Sequence, residues 1–463
     1  MPPPKQDCAG KARARTAAIL NAFAVLLCAA LVWAAGPDLL VSVGDVTATT
    51  AVLWARGVRA GDLTVDLGLA GGAAVGRHAV LSVRREDDLT GKMRLTDLAP
   101  ATRYRYRVTQ DVASIDGEFV TAPAPSAPAR VRFLWSGDLG GGGFCRPAQG
   151  GYAIFSAMLR HPADFFLFVG DTVYTDIPCD KPGAAPGGEF RASTLPQYRA
   201  RHRHNREDAG LGALLRRMSV YAIWDDHEVR NDFAGSVEPL MPVGRQAFLD
   251  YWPIVPPEEE PGRLYRRIRW GALLELFILD TRQYRSENSQ PDGPGKTMLG
   301  AAQRRWLLDG VTASTATWKV VVSSVTLSVP TGRPERRDGW SSANVLGFPQ
   351  EGAGFATERD ALLRAFRTRG VRNLVFVAAD VHHAELIRHH PHPEWSFHEF
   401  IAGPLAASFG RPRPLDMALN PRSLFARGGV FNFGEVTVEP SVLTVRLVDE
   451  TDTVMFTHTI GPE

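Results

Sequence analysis

Short runs of consecutive apolar residues, each ending at an acidic residue, constrain the fold of the second part of this chain most strongly. They are "VRFLWSGD", "ADFFLFVGD", "YAIWDD", "LFILD" and "LVFVAAD", and segments with helical spacing stand between several of them. Strands that are apolar throughout are buried on both faces, which is typical of sheets covered by helices. The pattern therefore predicts a layered α/β fold over residues 131–463.

The first part of the chain has a different pattern. Apolar and polar residues alternate in "LLVSVGDVTATTAVLWARG" and "LTVDLGLA", and "LTDLAPATRYRYRV" resembles the tyrosine corner of fibronectin type III-like domains. Alternation of period two with turns between the runs favours a half-buried all-β sandwich. We therefore predict a fibronectin III/Ig-like domain over residues 37–121 and a semi-rigid Pro/Ala linker over residues 122–130.

The N-terminus, residues 1–36, has the features of an export signal. A basic segment precedes "TAAILNAFAVLLCAALVWAA", and Gly36-Pro37 ends the apolar run. Its length lies between that of a secretory signal and that of a spanning helix, so a cleaved signal peptide and an uncleaved membrane anchor over residues 16–35 both remain open. In either case we expect an exported protein, periplasmic, extracellular or anchored facing outward.

Composition excludes some classes of function. A net charge of +2 over 463 residues, with 44% hydrophobic and 22% charged residues, is typical of a globular protein. It does not indicate a nucleic-acid-recognition surface. The Arg-rich clusters "RHRHNR" and "RPERR" are interpreted as solvated faces or a substrate rim, and His202 and His204 as surface loop residues. A monomer is expected.

Two cysteines remain outside the export segment, Cys145 and Cys179. They follow Asp138 and Asp171 at similar distances, so two neighbouring loops would carry them to the same rim. An oxidising compartment favours a disulfide between them, and two unpaired buried thiols are the alternative.

The strand-ending acids predict a metal site. In an open α/β sheet, ligands bind at the carboxyl ends of the strands, which brings Asp138, Asp171, Asp225/Asp226, Asp280 and Asp380 to one rim. So many carboxylates cannot be buried together without compensation. Two di- or trivalent cations about 3.5–4 Å apart, bridged by one carboxylate, would provide it.

The motifs "SGD", "VGDTVY", "WDDHE", "LDTRQYR" and "ADVHH", in this order, resemble the metallophosphoesterase (calcineurin-like) superfamily and, within it, the PhoD-like alkaline phosphatase and phosphodiesterase family. The resemblance implies a four-layer β-sandwich flanked by helices and preceded by an N-terminal β-domain. It also implies an exported metal-dependent phosphoester hydrolase in which a hydroxide activated by two metal ions attacks phosphorus. We expect Fe³⁺ with Ca²⁺ or another divalent metal as cofactors.

The resemblance also assigns the family's functional roles to individual residues of this sequence. It implies that the metal ligands are Asp138, Asp171 as the bridge, Tyr174, Asp226, Asp380 and His382. It implies that His227 contacts the phosphate or leaving group and that Arg282 grips phosphate, although Arg282 could instead pair with a carboxylate such as Asp280. His383 is interpreted as a structural or supporting histidine, and the ligand expected from "VVSSVTL", around Ser323, is not identified.

Other functions remain open at this point. The substrate could be a monoester or a diester, including the lipid or polymer phosphodiesters of a phospholipase D-like enzyme. A non-catalytic exported binding protein and a metal-free carbohydrate-active enzyme with paired carboxylates are the alternatives from other classes.

Overall fold

The computed structural model describes Met1, residues 38–72 and residues 77–463. Two large β-sheets share the main apolar core. Apart from Met1, the predicted export segment lies outside the described residues. Within the part of the chain that is described, no helix is both long and apolar enough to cross a membrane.

The first sheet has nine strands. In chain order they are β1 (Leu40–Gly44), β2 (Ala51–Arg56), β5 (Thr90–Leu95), β8 (Val131–Ser136), β9 (Phe165–Val169), β10 (Ser219–Ile223), β20 (Asn432–Glu439), β21 (Val442–Asp449) and β22 (Val454–Ile460). Their order across the sheet is β22-β21-β20-β8-β9-β10-β1-β2-β5. Strands β8, β9 and β10 are parallel, so their carboxyl ends lie at the same edge.

The second sheet has seven strands. They are β11 (Arg266–Trp270), β12 (Leu274–Ile278), β13 (Trp318–Val322), β16 (Leu374–Ala378), β17 (Ala384–His392), β18 (Trp395–Ile401) and β19 (Pro421–Arg427). Their order is β11-β12-β13-β16-β18-β17-β19, with β12, β13, β16 and β18 parallel. The ends of β12, β13 and β16 therefore also share one edge.

Helices cover the outer faces of both sheets. The α-helices are α1 (Ile154–Met158), α2 (Leu195–Arg206), α3 (Ala209–Arg217), α4 (Met241–Tyr251), α5 (Gly300–Ala313) and α6 (Ala356–Thr368). In β8, Phe133 and Trp135 face the core between the sheets, whereas Leu134 packs in the cluster that includes α1, α3 and α4. Helices α5 and α6 pack on the second sheet. The predicted α/β fold with buried strands flanked by helices is confirmed, in four layers.

The predicted N-terminal all-β domain is not confirmed as a separate sandwich. Strands β1, β2 and β5 belong to the nine-stranded sheet, and β1 pairs with β10 in parallel. The remaining strands, β3 (Gly61–Leu69), β4 (Arg77–Val83), β6 (Arg103–Gln110) and β7 (Ala113–Val120), form a four-stranded sheet. Residues 39–463 are one compact unit, because side chains from both regions share the main core.

The basic stretch "RHRHNR" is buried in α2, which corrects its interpretation as a solvated face and that of His202 and His204 as loop residues. Main-chain carbonyls satisfy the guanidinium groups: Arg201 donates to Tyr174 O at 2.6 Å and Arg206 to Tyr251 O at 2.6 Å. Arg206 also lies 4.1 Å from the Trp54 ring centroid, a cation–π contact. Burial lowers the pKa of His202 to about 3. The basic side chains of this helix are therefore part of the buried structure and do not form a solvated face.

Cys145 and Cys179 form the predicted disulfide, with their Cα atoms 5.5 Å apart. Around it the loops of residues 141–148 and 179–185 pair through backbone hydrogen bonds, Ala148 N to Gly183 O and Ala185 N to Arg146 O. The disulfide thus joins the loop after β8 to the loop after β9.

Removing this disulfide should destabilise the protein. The cross-link joins two residues 34 apart in sequence and so restricts the unfolded chain. Its loss in the Cys145→Ala/Cys179→Ala double variant should lower the free energy of unfolding by about 3–4 kcal/mol. Denaturant unfolding measures it. A reductant should shift the midpoint of the wild-type protein and leave that of the double variant unchanged, and equal stability of the two proteins would contradict the prediction.

Candidate metal centre

Acidic residues follow five strands at the same position, two residues after the last residue of each strand. They are Asp138 after β8, Asp171 after β9, Asp225 after β10, Asp280 after β12 and Asp380 after β16. Three of them, Asp138, Asp171 and Asp380, have left-handed backbone with φ of 64°, 49° and 66°. Aspartate tolerates this conformation better than most residues. The sharp turns keep these side chains at the carboxyl edge.

One group of candidate ligands consists of Asp138, Asp171 and His382, whose ligand atoms all lie within 4.8 Å of one another. His382 Nδ1 is 2.5 Å from Ser408 O, so this nitrogen carries the proton and donates to the carbonyl. The unprotonated Nε2 then lies 3.7 Å from Asp138 Oδ1 and 3.0 Å from the Tyr174 hydroxyl. The imidazole is held by a supporting hydrogen bond in the way that metal-binding histidines usually are.

A second group consists of Asp171, Asp226 and His227, again within 4.8 Å. Asp171 belongs to both groups, and one of its oxygens accepts a hydrogen bond from the His227 backbone N–H at 3.2 Å. The Tyr174 and His227 rings stack with centroids 4.1 Å apart. Asp171 is therefore common to both of these groups of candidate ligands.

The centre contains buried carboxylate oxygens that lack partners. Both oxygens of Asp138 and one oxygen each of Asp225 and Asp380 accept no hydrogen bond from any described residue. Burial, and after it the charge of Asp225, raises the pKa of Asp138 and of Asp380 well above the usual range. Burial and the charge of Asp226 do the same to the pKa of Asp171. Bound cations would remove this penalty, so the residues present fit a metal centre.

Asp226 and His227 favour each other's charged forms. Burial works against the charged form of Asp226, but His227 and Arg282 outweigh it and hold its pKa below the ordinary value. Burial also disfavours the charged imidazolium, yet Asp226 and Asp176 raise the pKa of His227 to about 9. These two carboxylates favour the imidazolium and make His227 a candidate proton donor, and a cation bound to Asp226 would weaken the contribution of that carboxylate.

Asp176 is a residue that the sequence interpretation missed. Its Oδ1 is 2.7 Å from His227 Nδ1, and its Oδ2 accepts from the Asn231 backbone N–H at 2.8 Å. This pairing fixes the ring of His227 through Nδ1 and leaves Nε2 as the nitrogen that can donate a proton to a substrate. Asp176 stands five residues after Asp171 in "DTVYTD", and this proximity was the available signal.

Arg282 does not have the predicted position of a phosphate ligand. Its side chain is 0% exposed, and it donates to Asp338 through both terminal nitrogens at 2.7 Å and to Asp225 through Nε at 2.7 Å. The alternative of a carboxylate partner is therefore the observed one, although the partners are Asp225 and Asp338. Nothing in "RRDGW" marked Asp338 as the partner, because the contact joins loops 56 residues apart.

The remaining predicted residues have structural contacts. Asp280 Oδ1 accepts from Trp224 Nε1 at 2.9 Å and from the Arg282 backbone N–H at 3.0 Å, so it stabilises its own turn. His383 is buried and its Nε2 lies 2.9 Å from Glu385, as expected for a structural histidine. The strand end around Ser323 supplies Ser324, whose hydroxyl donates to Asp225 at 2.6 Å. Asp380 is buried at the edge but belongs to neither of these groups, nor to a third group that consists of Asp226, Asp232 and Asp338.

The sequence and the fold are similar to those of known proteins. A sequence model described as PhoD-like phosphatase matches residues 135–447. Alkaline phosphatase D of Bacillus subtilis (strain 168) is 26% identical over 310 residues, which are 60% of this chain and 50% of that protein. The chain thus spans about half the length of this curated relative.

Two solved structures share the fold. The structure of PhoD superposes with a TM-score of 0.74 at 20% identity, covering 92% of each chain. The purple acid phosphatase PPD1 from seeds of yellow lupin (Lupinus luteus) superposes with a TM-score of 0.64 at 14% identity, covering 92% of this chain and 74% of that one. At these identities the similarity is one of fold.

Proposed function

This chain belongs to the PhoD-like phosphatase family, and on that basis we propose that it is a phosphoester hydrolase with two metal ions at the carboxyl edge of its sheets. The observation that carries the proposal is the sharing of Asp171 between two groups of ligands. Asp138 and His382 would complete the first metal site and Asp226 the second, with Asp380 beside them. When bound, such cations lower the pKa of a coordinated water and neutralise charge on phosphate.

The protein's own residues would position and protonate the substrate. Asp176 holds Nδ1 of His227, so the imidazolium is oriented and can transfer its Nε2 proton to the leaving oxygen. Arg282 would act indirectly, because it fixes Asp225 and contributes to keeping Asp226 ionised. Ser324 donates to the same oxygen of Asp225 and limits its movement further.

Hydrolysis of p-nitrophenyl phosphate and of bis(p-nitrophenyl) phosphate tests the proposed activity and separates monoesterase from diesterase. We expect turnover of at least one of them, loss of turnover after chelation, and recovery when metal is returned. Turnover of neither by metal-loaded protein would favour the non-catalytic binding protein. Turnover that survives chelation with no metal left would contradict the metal-dependent hydrolase.

We propose that the two bound cations are Fe³⁺ and Ca²⁺ or another divalent ion. The argument for ferric iron rests on Tyr174. Burial, followed by the charge of Asp171, raises the pKa of the Tyr174 hydroxyl well above its usual value. A phenolate would form there only beside a strongly Lewis acidic cation, which favours ferric iron over calcium or magnesium.

The Tyr174→Phe variant should therefore lose visible absorption and retain iron less well, while its fold stays intact because only one hydroxyl is removed. The check is the visible spectrum and iron content of protein made with iron present and never exposed to chelators. A colourless and fully active wild-type protein that contains only divalent metals would contradict the assignment of ferric iron.

We also propose that the protein is exported and acts as a monomer. The disulfide between Cys145 and Cys179 supports an oxidising compartment, and the apolar run over residues 16–35 supports a cleaved signal or an anchor. Fractionation of the producing cells, with N-terminal sequencing of the mature chain, decides between these two forms.

A further inference from the structure

Exposed apolar side chains are concentrated on two loops beside the candidate metal centre. Val345, Leu346 and Phe348 are 73%, 65% and 56% exposed, and Met417 and Phe409 are 50% and 44% exposed. We call these five residues the apolar rim. Single exposed apolar residues are ordinary, but a cluster of this kind marks an interaction surface.

The two loops are in contact where Gly347 meets Leu415 and Met417. The Met417 backbone N–H donates to Gly347 O at 2.8 Å, and a Cβ added at Gly347 would lie 2.2 Å from Leu415 O. The side-chain oxygen of Asn344 accepts from the backbone N–H groups of Leu346 and Phe348. The loop is therefore held in a tight turn with its apolar side chains at the tip.

The apolar rim adjoins the metal centre. Ser408, next to Phe409 in sequence, accepts the hydrogen bond from His382 Nδ1, and the Gly410 backbone N–H donates to His382 O. The Phe409 ring packs on Phe431 at 4.8 Å between centroids, so its backbone is supported while its edge stays exposed. A partner bound to the rim would lie beside the ligand His382.

Exposed arginines without carboxylate partners flank the rim. Two are in the hairpin of β14 (Gly332–Arg333) and β15 (Arg336–Arg337), and two more, Arg411 and Arg413, precede Met417. None of Arg333, Arg336, Arg411 and Arg413 forms an ion pair with another described residue, whereas arginines of the four-stranded sheet do, for example Arg107 with Asp116 at 2.7 Å. Arg413 donates to Pro330 O at 3.3 Å and connects the hairpin to the rim. The exposed acids in these segments are Glu335 and Glu351, and Arg336 also borders a cleft that contains the exposed Glu287, so four arginines face three exposed acids and positive charge is in excess.

We propose that the apolar rim and its four arginines bind the surface of an anionic lipid bilayer. Apolar side chains at loop tips can enter the boundary between headgroups and acyl chains, and unpaired arginines beside them can bind the anionic headgroups. The charge excess favours this occupant over a second copy of the chain, whose matching surface would carry the same positive charges. The inference goes beyond the proposed function and does not depend on it, because binding is measured without substrate.

Peptide-resolved hydrogen exchange of the full chain tests the proposal. The N-terminal apolar segment could hold the protein on any vesicle, so a local signal is needed. We expect residues 344–348 and 409–417 to exchange more slowly with vesicles of phosphatidylcholine and phosphatidylglycerol than with vesicles of phosphatidylcholine alone. High salt should reduce this difference, because it screens the arginines.

Matched variants sharpen the experiment. Leu346→Ser/Phe348→Ser should lose the protection of both loops on anionic vesicles. Val112→Ser, which removes a fully exposed valine from the turn between β6 and β7, should keep it. Unchanged exchange in both loops while the wild-type protein is bound to anionic vesicles would overturn the proposal. Protection that follows protein concentration and needs no vesicles would assign the surface to a second copy and overturn it as well.

Discussion

Replacing Asp171 by asparagine is expected to abolish phosphoester hydrolysis and to lower the metal content of both sites together. Asp171 is shared by the group that contains Asp138 and His382 and the group that contains Asp226 and His227. Asparagine keeps the size of the side chain, but it removes the negative charge and leaves a single oxygen able to bind a cation. Metal content and the hydrolysis of a chromogenic phosphoester, measured on the same preparation, check both parts of the expectation.

The matched control is Asp164→Asn, at the opposite end of the same strand. Asp164 Oδ2 accepts a hydrogen bond from the Arg132 backbone N–H, which the oxygen of asparagine can also accept. This variant should retain metal and turnover. Near-wild-type hydrolysis by Asp171→Asn, or loss of metal from only one site, would show that Asp171 is not a bridge.

His227→Ala is expected to leave metal content nearly intact while kcat falls by about 10²–10⁴-fold, the usual contribution of a positioned acid or base. His227 is held by Asp176 through Nδ1, which is the arrangement of a proton donor. Asp176→Asn should lower kcat in the same direction but less, because the imidazole stays in place while its pKa and tautomer are no longer set by a carboxylate. Metal analysis with steady-state kinetics measures both.

His78→Ala provides the matched control for His227→Ala. His78 Nδ1 lies 2.8 Å from Asp66 Oδ1 in the four-stranded sheet, so the same kind of pair is removed away from the candidate metal centre. Its kinetics should be those of the wild-type protein. If His227→Ala loses metal, His227 is a ligand of the second group and its proposed role as an acid is wrong.

The edge of the sheets where the candidate metal centre lies could be predicted from sequence, because each strand and the acid that follows it are neighbours in the chain. An apolar run predicts a buried strand, parallel strands end at one edge, and the acid after each run is brought there. This rule predicted that Asp138, Asp171 and Asp226 lie at one edge, and the family resemblance added His382; the structure brings these four residues into groups of candidate ligands. The same rule could not distinguish Asp280 from the candidate ligands. Asp280 instead accepts hydrogen bonds from Trp224 and from the backbone of its own turn, and these contacts are not visible in the sequence.

The errors arose where a partner comes from a distant part of the chain. Alternation showed that β1, β2 and β5 are strands, but their pairing into the nine-stranded sheet depends on β10, far along the chain. The family resemblance assigned Arg282 to phosphate, and no sequence pattern near Asp338 shows that its carboxylate accepts hydrogen bonds from both terminal nitrogens of Arg282. Helix α2 is basic and has no apolar stripe, so its sequence did not indicate burial. Its buried charges are compensated by carbonyl acceptors and tryptophan rings from other parts of the chain.

Elemental analysis of protein purified without chelators tests the proposed two-metal centre most directly, because the Asp171 carboxylate is shared by two groups of candidate ligands. We predict about two metal ions per chain for the wild-type protein and the loss of both from Asp171→Asn. Full hydrolysis of a phosphoester by protein that contains no metal would contradict the account.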